Sequence, residues 1–433
     1  MEISELYKLF LQHPQVTTDS RDCPVGSIFF ALKGESFDGN KFAELAIDKG
    51  CSYAVVDEAE YVKPDDGRFI MVDDCLKALQ QMANYHRREL GTKIIGITGT
   101  NGKTTTKELV YTVLSEKYNV LCTLGNFNNE IGVPKTLLRL TKEHQLAVVE
   151  MGASHPGDIK SLVDIVEPDY GIITNVGRAH LQGFGSFEGV IKTKGELYDY
   201  LRTKPGSVVF IDDDNEHLRG ISHDLTLIKY GMAGREDLCA NGQVVSCAPF
   251  LKFLWRHAAG EWREVQTHLI GSYNICNMLA AACIGLSFGL TQEQIDHALT
   301  NYIPSNNRSQ LDITAHNKLI IDAYNANPTS MMAALKNFRD MEVSPKMAIL
   351  GDMRELGAVS DEEHQCVVDF LNESGLDNTW LVGEEFAKTR CNFRKFNNVE
   401  EVKAAIAEQH PEGYYILIKG SNGIKLFQLP ALL

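Results

Sequence analysis

KIIGITGTNGKTTTK, residues 93–107, is the most informative stretch of this 433-residue sequence. It opens with a β-branched run, Lys93–Ile97, that is typical of a buried strand. A loop of small residues comes next, and a helical pattern follows from Lys107 to Leu114. A strand, a glycine loop and a helix N-terminus together form an anion site, because backbone N–H groups point outward and the helix dipole favours negative charge. The stretch therefore predicts a site for a nucleotide triphosphate.

The loop after this strand is a variant of the phosphate-binding P-loop. The usual pattern, G-x-x-x-x-G-K-[ST], places its first glycine at the position that Ile97 occupies here. This chain instead has the run Gly99, Thr100, Asn101, Gly102, Lys103, Thr104, Thr105. In such a loop Lys103 neutralises phosphate oxygens and the Thr104 hydroxyl binds Mg²⁺. The alternative is a glycine-rich turn with a chance Lys-Thr pair, and the agreement of strand, loop and helix weighs against it.

Composition limits the class of protein. Hydrophobic residues make up 44% and charged residues 23%, which is ordinary for a globular chain. No window approaches the ~18 apolar residues of a membrane helix, and the first ten residues lack the order of a signal peptide. The ten cysteines include no C-x-x-C pair, which favours reduced thiols over disulfides or a zinc site. We therefore expect a cytoplasmic protein that does not span a membrane.

The formal net charge of −15 argues against general nucleic-acid binding, which depends on neutralising phosphates with Lys and Arg. A small anionic substrate is not excluded, because it needs only local positive groups.

Strand and helix patterns divide the chain into three α/β segments, residues 1–90, 91–303 and 304–433. In the middle segment, strand candidates end at Ile97, Glu150, Thr174 and Ile211 with helical patterns between them. This alternation predicts a mainly parallel sheet with helices on both faces. Residues 237–270 suggest β-hairpins instead. Beyond a linker at residues 303–308, further alternation predicts a Rossmann-like unit that lacks the dinucleotide motif G-x-G-x-x-G.

Candidate site residues stand where strands of the middle segment end. Ligands of open α/β sheets bind beyond the carboxyl ends of the strands. Glu150 ends an apolar strand, where a carboxylate suits Mg²⁺ and a surface acid is the equal alternative. His180 follows another strand end, and an imidazole beside a P-loop is a candidate metal ligand. Lys192 and Lys194 occupy a helical pattern further on, where a solvated helix face is the ordinary explanation.

These motifs together resemble the Mur ligase family over nearly the full length. The signatures are G-T-N-G-K-T-T, Glu150-Met151-Gly152, and Asn175-Val176 followed by Ala179-His180-Leu181. The resemblance implies ATP as the nucleotide, one Mg²⁺ held by Thr104 and Glu150, and a second held in part by His180. It also implies that one lysine is carbamylated by CO₂ and becomes an oxygen ligand. Alignment favours Lys194, and Lys192 remains the rival.

Two further runs indicate a branch of the family. LGNFNNEIGVP at residues 124–134 and DAYNANP at residues 322–328 resemble the branch that joins D-alanyl-D-alanine to UDP-N-acetylmuramoyl-tripeptide. The sister branch, which adds the third amino acid, usually has D-Y-A-H-x-P at the second run and a later D-N-P-R that is absent here. It is the first alternative. A P-loop switch ATPase that joins nothing is the alternative from a different class.

The resemblance carries further residues over. For the uridine nucleotide these are Ser20 and Arg21, although a capped turn would explain them as well. For the substrate they are Asn128, Asn129, Tyr324, Asn325, Asn327 and Lys419. For ATP they are Asn274, Asn277, Arg308 and Asp322; helix capping is the alternative for the two asparagines. The chain departs from the family at Asn306-Asn307, where glycine-arginine is usual, and at Asn422, where arginine is usual.

The resemblance also implies a mechanism. ATP phosphorylates the substrate carboxylate to an acyl phosphate, and the amine of the dipeptide then displaces phosphate to form an amide. The first step needs charge neutralisation and positioning, which Lys103 and two Mg²⁺ ions would supply. The catalytic set is Lys103, Glu150, His180 and Lys194. We expect a monomer in which the three domains close before chemistry.

Overall fold

The computed structural model describes residues 1–232, 234–304, 308 and 310–433. The chain forms two compact units, each assembled from separate stretches. The first unit consists of Met1–Gly96, Tyr118–Gly152 and Lys160–Asp169. The second unit consists of Ile97–Lys117, Ala153–Ile159 and Tyr170–Leu433. The strand Lys93–Thr98 and the helix Asp158–Val166 run across this division.

A four-stranded parallel sheet opens the first unit. Its strands lie in the order Val16–Thr17, Ile28–Phe30, Tyr53–Val56, Phe69–Met71. Two short strands, Lys33–Gly34 and Phe37–Asp38, pair separately. The helices of the unit are Ile3–Gln12, Ala43–Asp48, Cys75–Leu90 and Gly132–Leu137.

A second parallel pair in the first unit carries one of the predicted acids. Strands Val120–Cys122 and Leu146–Glu150 pair in parallel, and every residue of the latter is buried. Parallel strands covered on both faces read as continuous apolar runs, which explains the sequence Leu-Ala-Val-Val before the acid. Glu150 therefore ends a buried strand.

The second unit begins with the P-loop helix Lys103–Ser115 and a run of parallel strands. These strands, Tyr170–Ile173, Val208–Asp212 and Leu227–Gly231, pair side by side and continue in parallel to Ala240–Cys247. Strands Phe250–His257 and Arg263–Ile270 then add two antiparallel pairings. The helices of this part are Leu181–Phe184, Phe187–Thr203, Glu216–Gly220, Ile275–Ser287 and Gln292–Asn301.

A six-stranded sheet forms the C-terminal part of the second unit. Its order is Gln310–Ile313, Lys318–Asp322, Tyr415–Lys419, Lys346–Gly351, Thr379–Val382, Arg394–Phe396. The first pairing is antiparallel and the others are parallel. The helices are Pro328–Asp340, Ser360–Ser374, Glu384–Lys388 and Val399–Gln409.

Alternate residues of the central strand Lys346–Gly351 pack into the two cores of this sheet. Ala348 and Leu350 face a core that includes Phe338, whereas Met347 and Ile349 face a core that includes Ile406. Side chains of a strand point to opposite faces with a period of two, so both faces of this strand are apolar and both are covered. Each fully buried side chain of this kind contributes roughly 1.5–3 kcal/mol.

The predicted α/β class, with mainly parallel sheets, is confirmed. The predicted hairpins at residues 237–270 are present as three antiparallel strands. The edge strands Gln310–Ile313 and Arg394–Phe396 were not predicted, because each is short and polar. The linker prediction falls partly outside the described residues, as do Asn306 and Asn307. The segment boundaries after residues 90 and 303 stay predictions.

Candidate active site

The glycines of the P-loop are required by their surroundings. Gly99 has φ 141°, and a Cβ there would lie 2.0 Å from the Thr174 hydroxyl oxygen. Gly102 has φ 77°, and a Cβ there would lie 2.7 Å from the side-chain oxygen of Asn277. Gly102 is also the N-cap of the helix Lys103–Ser115 and has no side chain with which to cap that end. Its backbone N–H groups therefore form an anion site of the predicted kind.

Residues after the strand Tyr170–Ile173 fix the shape of this loop. The side chain of Asn175 accepts from the Asn101 N–H at 3.0 Å and donates to the Asn101 carbonyl at 3.0 Å. The Thr174 hydroxyl donates to the same carbonyl at 2.7 Å, and the Thr100 N–H donates to the Asn175 carbonyl at 2.9 Å. The Asn175-Val176 signature therefore holds the P-loop in its shape.

The P-loop side chains lie close to the loop itself. The Lys103 ammonium donates to the carbonyls of Gly99 at 2.8 Å and Thr100 at 3.0 Å. Thr104 and Thr105 are buried at the start of the helix. The cation is therefore already at the loop where phosphate oxygens would lie.

Lys194 is one of the buried cations of the second unit. Its side chain is only 2% exposed, and its Nζ lies 3.4 Å from the Ala153 carbonyl and 5.3 Å from the centre of the Phe184 ring. Burial, and then the charge of Lys103, lower the pKa of Lys194 well below its ordinary value. Lys192, two residues earlier on the same helix, is exposed. The structure thus separates the two lysines that the sequence left as rivals.

His180 lies within electrostatic range of both cations. It has φ 51° and is the N-cap residue of the helix Leu181–Phe184. Burial lowers the pKa of His180; the charge of Glu355 opposes this, and the charges of Lys103 and Lys194 lower the pKa further. The Nδ1 atom of His180 contacts the Glu355 carboxylate. Three of the four predicted catalytic side chains, Lys103, His180 and Lys194, are therefore neighbours.

The fourth, Glu150, lies in the first unit and is held by Asn128. The Asn128 amide donates to a Glu150 carboxylate oxygen at 2.8 Å, and the Gly152 N–H donates to the Asn128 carbonyl at 2.7 Å. The exposed Asn129 accepts from the Gly132 N–H at 2.9 Å and so braces a helix start. Orienting Glu150 and shaping the loop are structural roles that the sequence did not indicate for this pair.

Ser20 and Arg21 lie in a turn at the surface of the first unit. The Arg21 guanidinium donates two bonds to the Asp19 carboxylate, at 2.9 and 2.8 Å, and this pairing holds the pKa of Asp19 well below its usual range. The carbonyl of Ser20 accepts from Lys49 at 2.7 Å. Arg21 is exposed, so its guanidinium is accessible to an anionic ligand.

Asn274 and Asn277 direct their side chains into the protein. The Asn274 amide donates to the Ile270 carbonyl at 2.8 Å, and the Asn277 amide donates to Asn274 at 2.8 Å. The Thr106 hydroxyl donates to the Asn277 oxygen at 3.0 Å. These bonds connect the helix Ile275–Ser287 to the P-loop helix, so the asparagines support the loop in this structure.

The predicted residues of the C-terminal sheet form two small groups. Asp322 and Lys419 are register partners on neighbouring strands and pair at 2.5 Å, with Lys419 only 1% exposed. The Arg308 guanidinium stacks over the Tyr324 ring at 4.1 Å. Asn325 is exposed beside them. Asp322 and Arg308 thus both lie near the carboxyl end of the strand Lys318–Asp322.

Asn327 connects this C-terminal group to the P-loop. It caps the helix Pro328–Asp340 by accepting from the Ser330 N–H at 2.9 Å, and its amide donates to the Asn101 side chain at 2.8 Å. The Arg178 N–H donates to the Thr329 hydroxyl at 3.1 Å, and the Arg178 guanidinium pairs with Glu363 at 2.7 Å. The sequence did not indicate the contacts of Glu355 and Glu363, because their partners lie far away along the chain. Arg178, in contrast, stands inside a motif that the sequence had indicated.

Two observations bear on metal binding and on membranes. Within the described ranges, no three His, Cys, Asp or Glu side chains gather as a metal-binding group. Of the helices that the structure describes, none has both the length and the apolar character that crossing a membrane requires.

The site combines a strand, a glycine loop held by Thr174 and Asn175, a helix N-terminus and neighbouring lysines. These features define a P-loop nucleotide-binding enzyme. The chain belongs to the Mur ligase family. Family models match three stretches: the Mur ligase catalytic domain at residues 14–87, the Mur ligase middle domain at 97–285, and the glutamate ligase domain at 307–422.

Individual relatives match almost the whole chain. UDP-N-acetylmuramoyl-tripeptide–D-alanyl-D-alanine ligase of Bacillus subtilis (strain 168) is 34% identical over 99% of this chain and 96% of its own length. The enzyme of the same name from Escherichia coli (strain K12) is 34% identical over 94% and 90%. A Thermotoga maritima MurF ligase structure in complex with ADP has a TM-score of 0.86 at 25% identity, over 98% and 97%. These matches confirm the family and the fold class predicted from the sequence.

Proposed function

We propose that this chain uses ATP to join D-alanyl-D-alanine to UDP-N-acetylmuramoyl-tripeptide, as a cytoplasmic monomer in peptidoglycan precursor synthesis. The observation that carries the proposal is the match, over 99% of this chain, to a relative named for that reaction. The reaction proceeds through an acyl phosphate, because a free carboxylate has no adequate leaving group. The site geometry supports the phosphoryl-transfer half of this chemistry.

ATP binds with its phosphates on the P-loop. The start of the helix Lys103–Ser115 supplies backbone N–H groups, and Lys103 places a cation on the loop carbonyls, within reach of phosphate oxygens. Asn274 and Asn277 stand at the helix start beside the loop, and Arg308 and Asp322 approach from the C-terminal sheet. The proposal assigns adenine and phosphate contacts to these four residues.

The hydroxyl and carboxylate oxygens of the site fit Mg²⁺, which prefers oxygen ligands, and His180 would add one nitrogen. The proposal assigns one ion to the Thr104 hydroxyl and the Glu150 carboxylate, and a second to His180 and Lys194. The described residues offer no cluster of three acidic, His or Cys side chains. Phosphate oxygens and a modified lysine are therefore needed to complete the coordination. The ions supply charge neutralisation for the transferring phosphoryl group.

Lys194 is suited to carbamylation. The ammonium first loses one proton to become a neutral amine. The amine nitrogen then bonds to the CO₂ carbon, one C–O π bond opens, and a second proton leaves to solvent, so the cation becomes an anionic oxygen ligand. Only the neutral amine reacts, and burial together with Lys103 favours that neutral form. Lys192 is exposed and lacks this advantage.

Other residues of this chain position the substrates. Arg21 and Ser20 bind the uridine nucleotide, Asn128 and Asn129 serve the muramoyl-peptide, and Tyr324, Asn325, Asn327 and Lys419 serve the incoming dipeptide. The proposal divides these tasks among domains 1–90, 91–303 and 304–433. Closure of the domains brings the carboxylate, the phosphates and the amine together and excludes water.

The test measures phosphate release with ATP, Mg²⁺ and UDP-linked muramoyl-tripeptide, with D-alanyl-D-alanine or single amino acids added in turn. Release only with the dipeptide, and a pentapeptide product by mass spectrometry, is the expected result. Release with a single amino acid on the UDP-linked dipeptide would assign the chain to the sister branch. Slow ATP hydrolysis that ignores both substrates would indicate a switch ATPase.

A further inference from the structure

A loop near residue 355 reaches the segment that carries His180. The Gln182 N–H donates to the Glu355 carbonyl at 3.3 Å. A Cβ at Gly357 would lie 3.4 Å from the Gln182 Cβ, which is ordinary contact distance. The Glu355 carboxylate contacts His180 Nδ1. One loop therefore contacts both the backbone and the imidazole of the His180 segment.

His180 and Glu355 both have backbone conformations that are rare for residues other than glycine. His180 has φ 51° and Glu355 has φ 64°, in the left-handed region that L side chains rarely adopt. Such conformations persist where the surrounding structure holds them, and they concentrate at functional sites. Here the two left-handed residues direct their side chains at each other. The Glu355 side chain is 59% exposed, so apolar packing does not explain its conformation.

We propose that Glu355 is the positioning residue for His180. An imidazole has two nitrogens, and the partner of one determines which of them carries the proton. A carboxylate at Nδ1 fixes the proton there and leaves the lone pair of Nε2 as the metal ligand. Carboxylate partners of this kind orient the metal-binding histidines of many proteins. The inference rests on the proposed role of His180 toward Mg²⁺.

The chain offers a matched control for this inference. Arg178, two residues before His180, pairs with Glu363 at 2.7 Å. This ion pair joins the same two parts of the second unit as the His180–Glu355 contact does, without involving the imidazole. Glu355→Gln and Glu363→Gln each remove one carboxylate charge from that contact. Only the first alters the partner of His180.

The experiment compares wild type, Glu355→Gln, Glu355→Asp, Glu363→Gln, His180→Gln and the double variant His180→Gln/Glu355→Gln. It measures kcat, the KM for each substrate, and Mn²⁺ affinity by electron paramagnetic resonance with a non-hydrolysable ATP analogue and the UDP-linked tripeptide bound. Thermal melting confirms that each variant is folded. We expect Glu355→Gln to weaken Mn²⁺ binding and lower kcat by about 10–100-fold, with the KM for tripeptide within about twofold of wild type.

Glu355→Asp restores part of the loss, Glu363→Gln stays near wild type, and Glu355→Gln adds nothing in the His180→Gln background. The inference is overturned if Glu355→Gln and Glu363→Gln have equal effects, or if Glu355→Gln is as damaging without His180 as with it. If His180→Gln is inactive and Glu355→Gln behaves like wild type, the positioning role of Glu355 is refuted and the proposed role of His180 is not. A fully active His180→Gln refutes the proposed role of His180, and the inference about Glu355 fails with it.

Discussion

Lys192 and Lys194 lie on opposite sides of the helix Phe187–Thr203 and experience different surroundings. Lys192 faces solvent, whereas Lys194 is almost fully buried beside the Ala153 carbonyl. The charges of Asp158 and Glu196 raise the pKa of Lys194 by less than burial and Lys103 lower it. Burying a charged amine is unfavourable, so burial favours the neutral form of Lys194 and makes it the better candidate of the two for the proposed carbamylation.

The largest expected effect tests that contrast directly. Lys194→Ala should lower ligase turnover by about 10³-fold, because it would remove the carbamate oxygens proposed for the phosphoryl-transfer site. Lys192→Ala, on the solvent side of the same helix, should change turnover by less than about twofold. Phosphate release under saturating substrates measures both. Comparable losses in the two variants would contradict the assignment of the carbamate to Lys194.

The second prediction compares two glycines, one with crowded surroundings and one with open space around it. Gly99→Ala places a methyl group against the Thr174 hydroxyl, so we expect at least a tenfold loss of ATP-dependent turnover. Gly91→Ala is the control, since Gly91 also has a positive φ but a methyl group there would meet no atom of the described residues within 4 Å. It should cost about 1 kcal/mol of stability and no turnover. ATP titration and thermal melting separate the two results.

The third prediction concerns stability and pH. The pKa of Lys194 is lower in the folded chain than in the unfolded chain, so between these two values the unfolded state binds more protons. The free energy of unfolding therefore rises as pH increases through that window. In CO₂-free buffer, Lys194→Met should be more stable than wild type at neutral pH, with a difference that shrinks as pH approaches ~10. Denaturant unfolding at several pH values measures this; a difference independent of pH would contradict it.

The smallest expected effect comes from a buried carboxyl that the proposal does not use. Burial raises the pKa of Asp212 to about 6, so the folded state binds more protons than the unfolded state between ~4 and that value. Stability is therefore lost as pH rises toward 6. Asp212→Asn keeps the acceptor for the Asp214 N–H and should stabilise the chain by about 1–3 kcal/mol at pH 8, and hardly at pH 4. Unchanged stability at pH 8 would show that Asp212 remains ionised at no cost.

Prediction from the sequence succeeded where neighbours in sequence are neighbours in space. The P-loop, the parallel strands and the hairpins at 237–270 follow from local patterns. It failed to indicate the internal partners of several polar residues. Asn128 holds Glu150, Asn327 caps a helix and pairs with Asn101, and Asn277 accepts from the Thr106 hydroxyl. Their predicted ligand contacts stay predictions, because a polar side chain in a motif shows chemistry but not its partner.

By itself the sequence determined the α/β class, the phosphate loop and the family, and it proposed a short set of candidate site residues. These depend on periodicity and on motifs of a few adjacent residues, which the chain spells out directly. Tertiary structure alone decided which of two lysines is buried and which carboxylate reaches His180. Burial and ion pairing depend on side chains that folding brings together from distant positions, and a linear pattern carries no record of those distances.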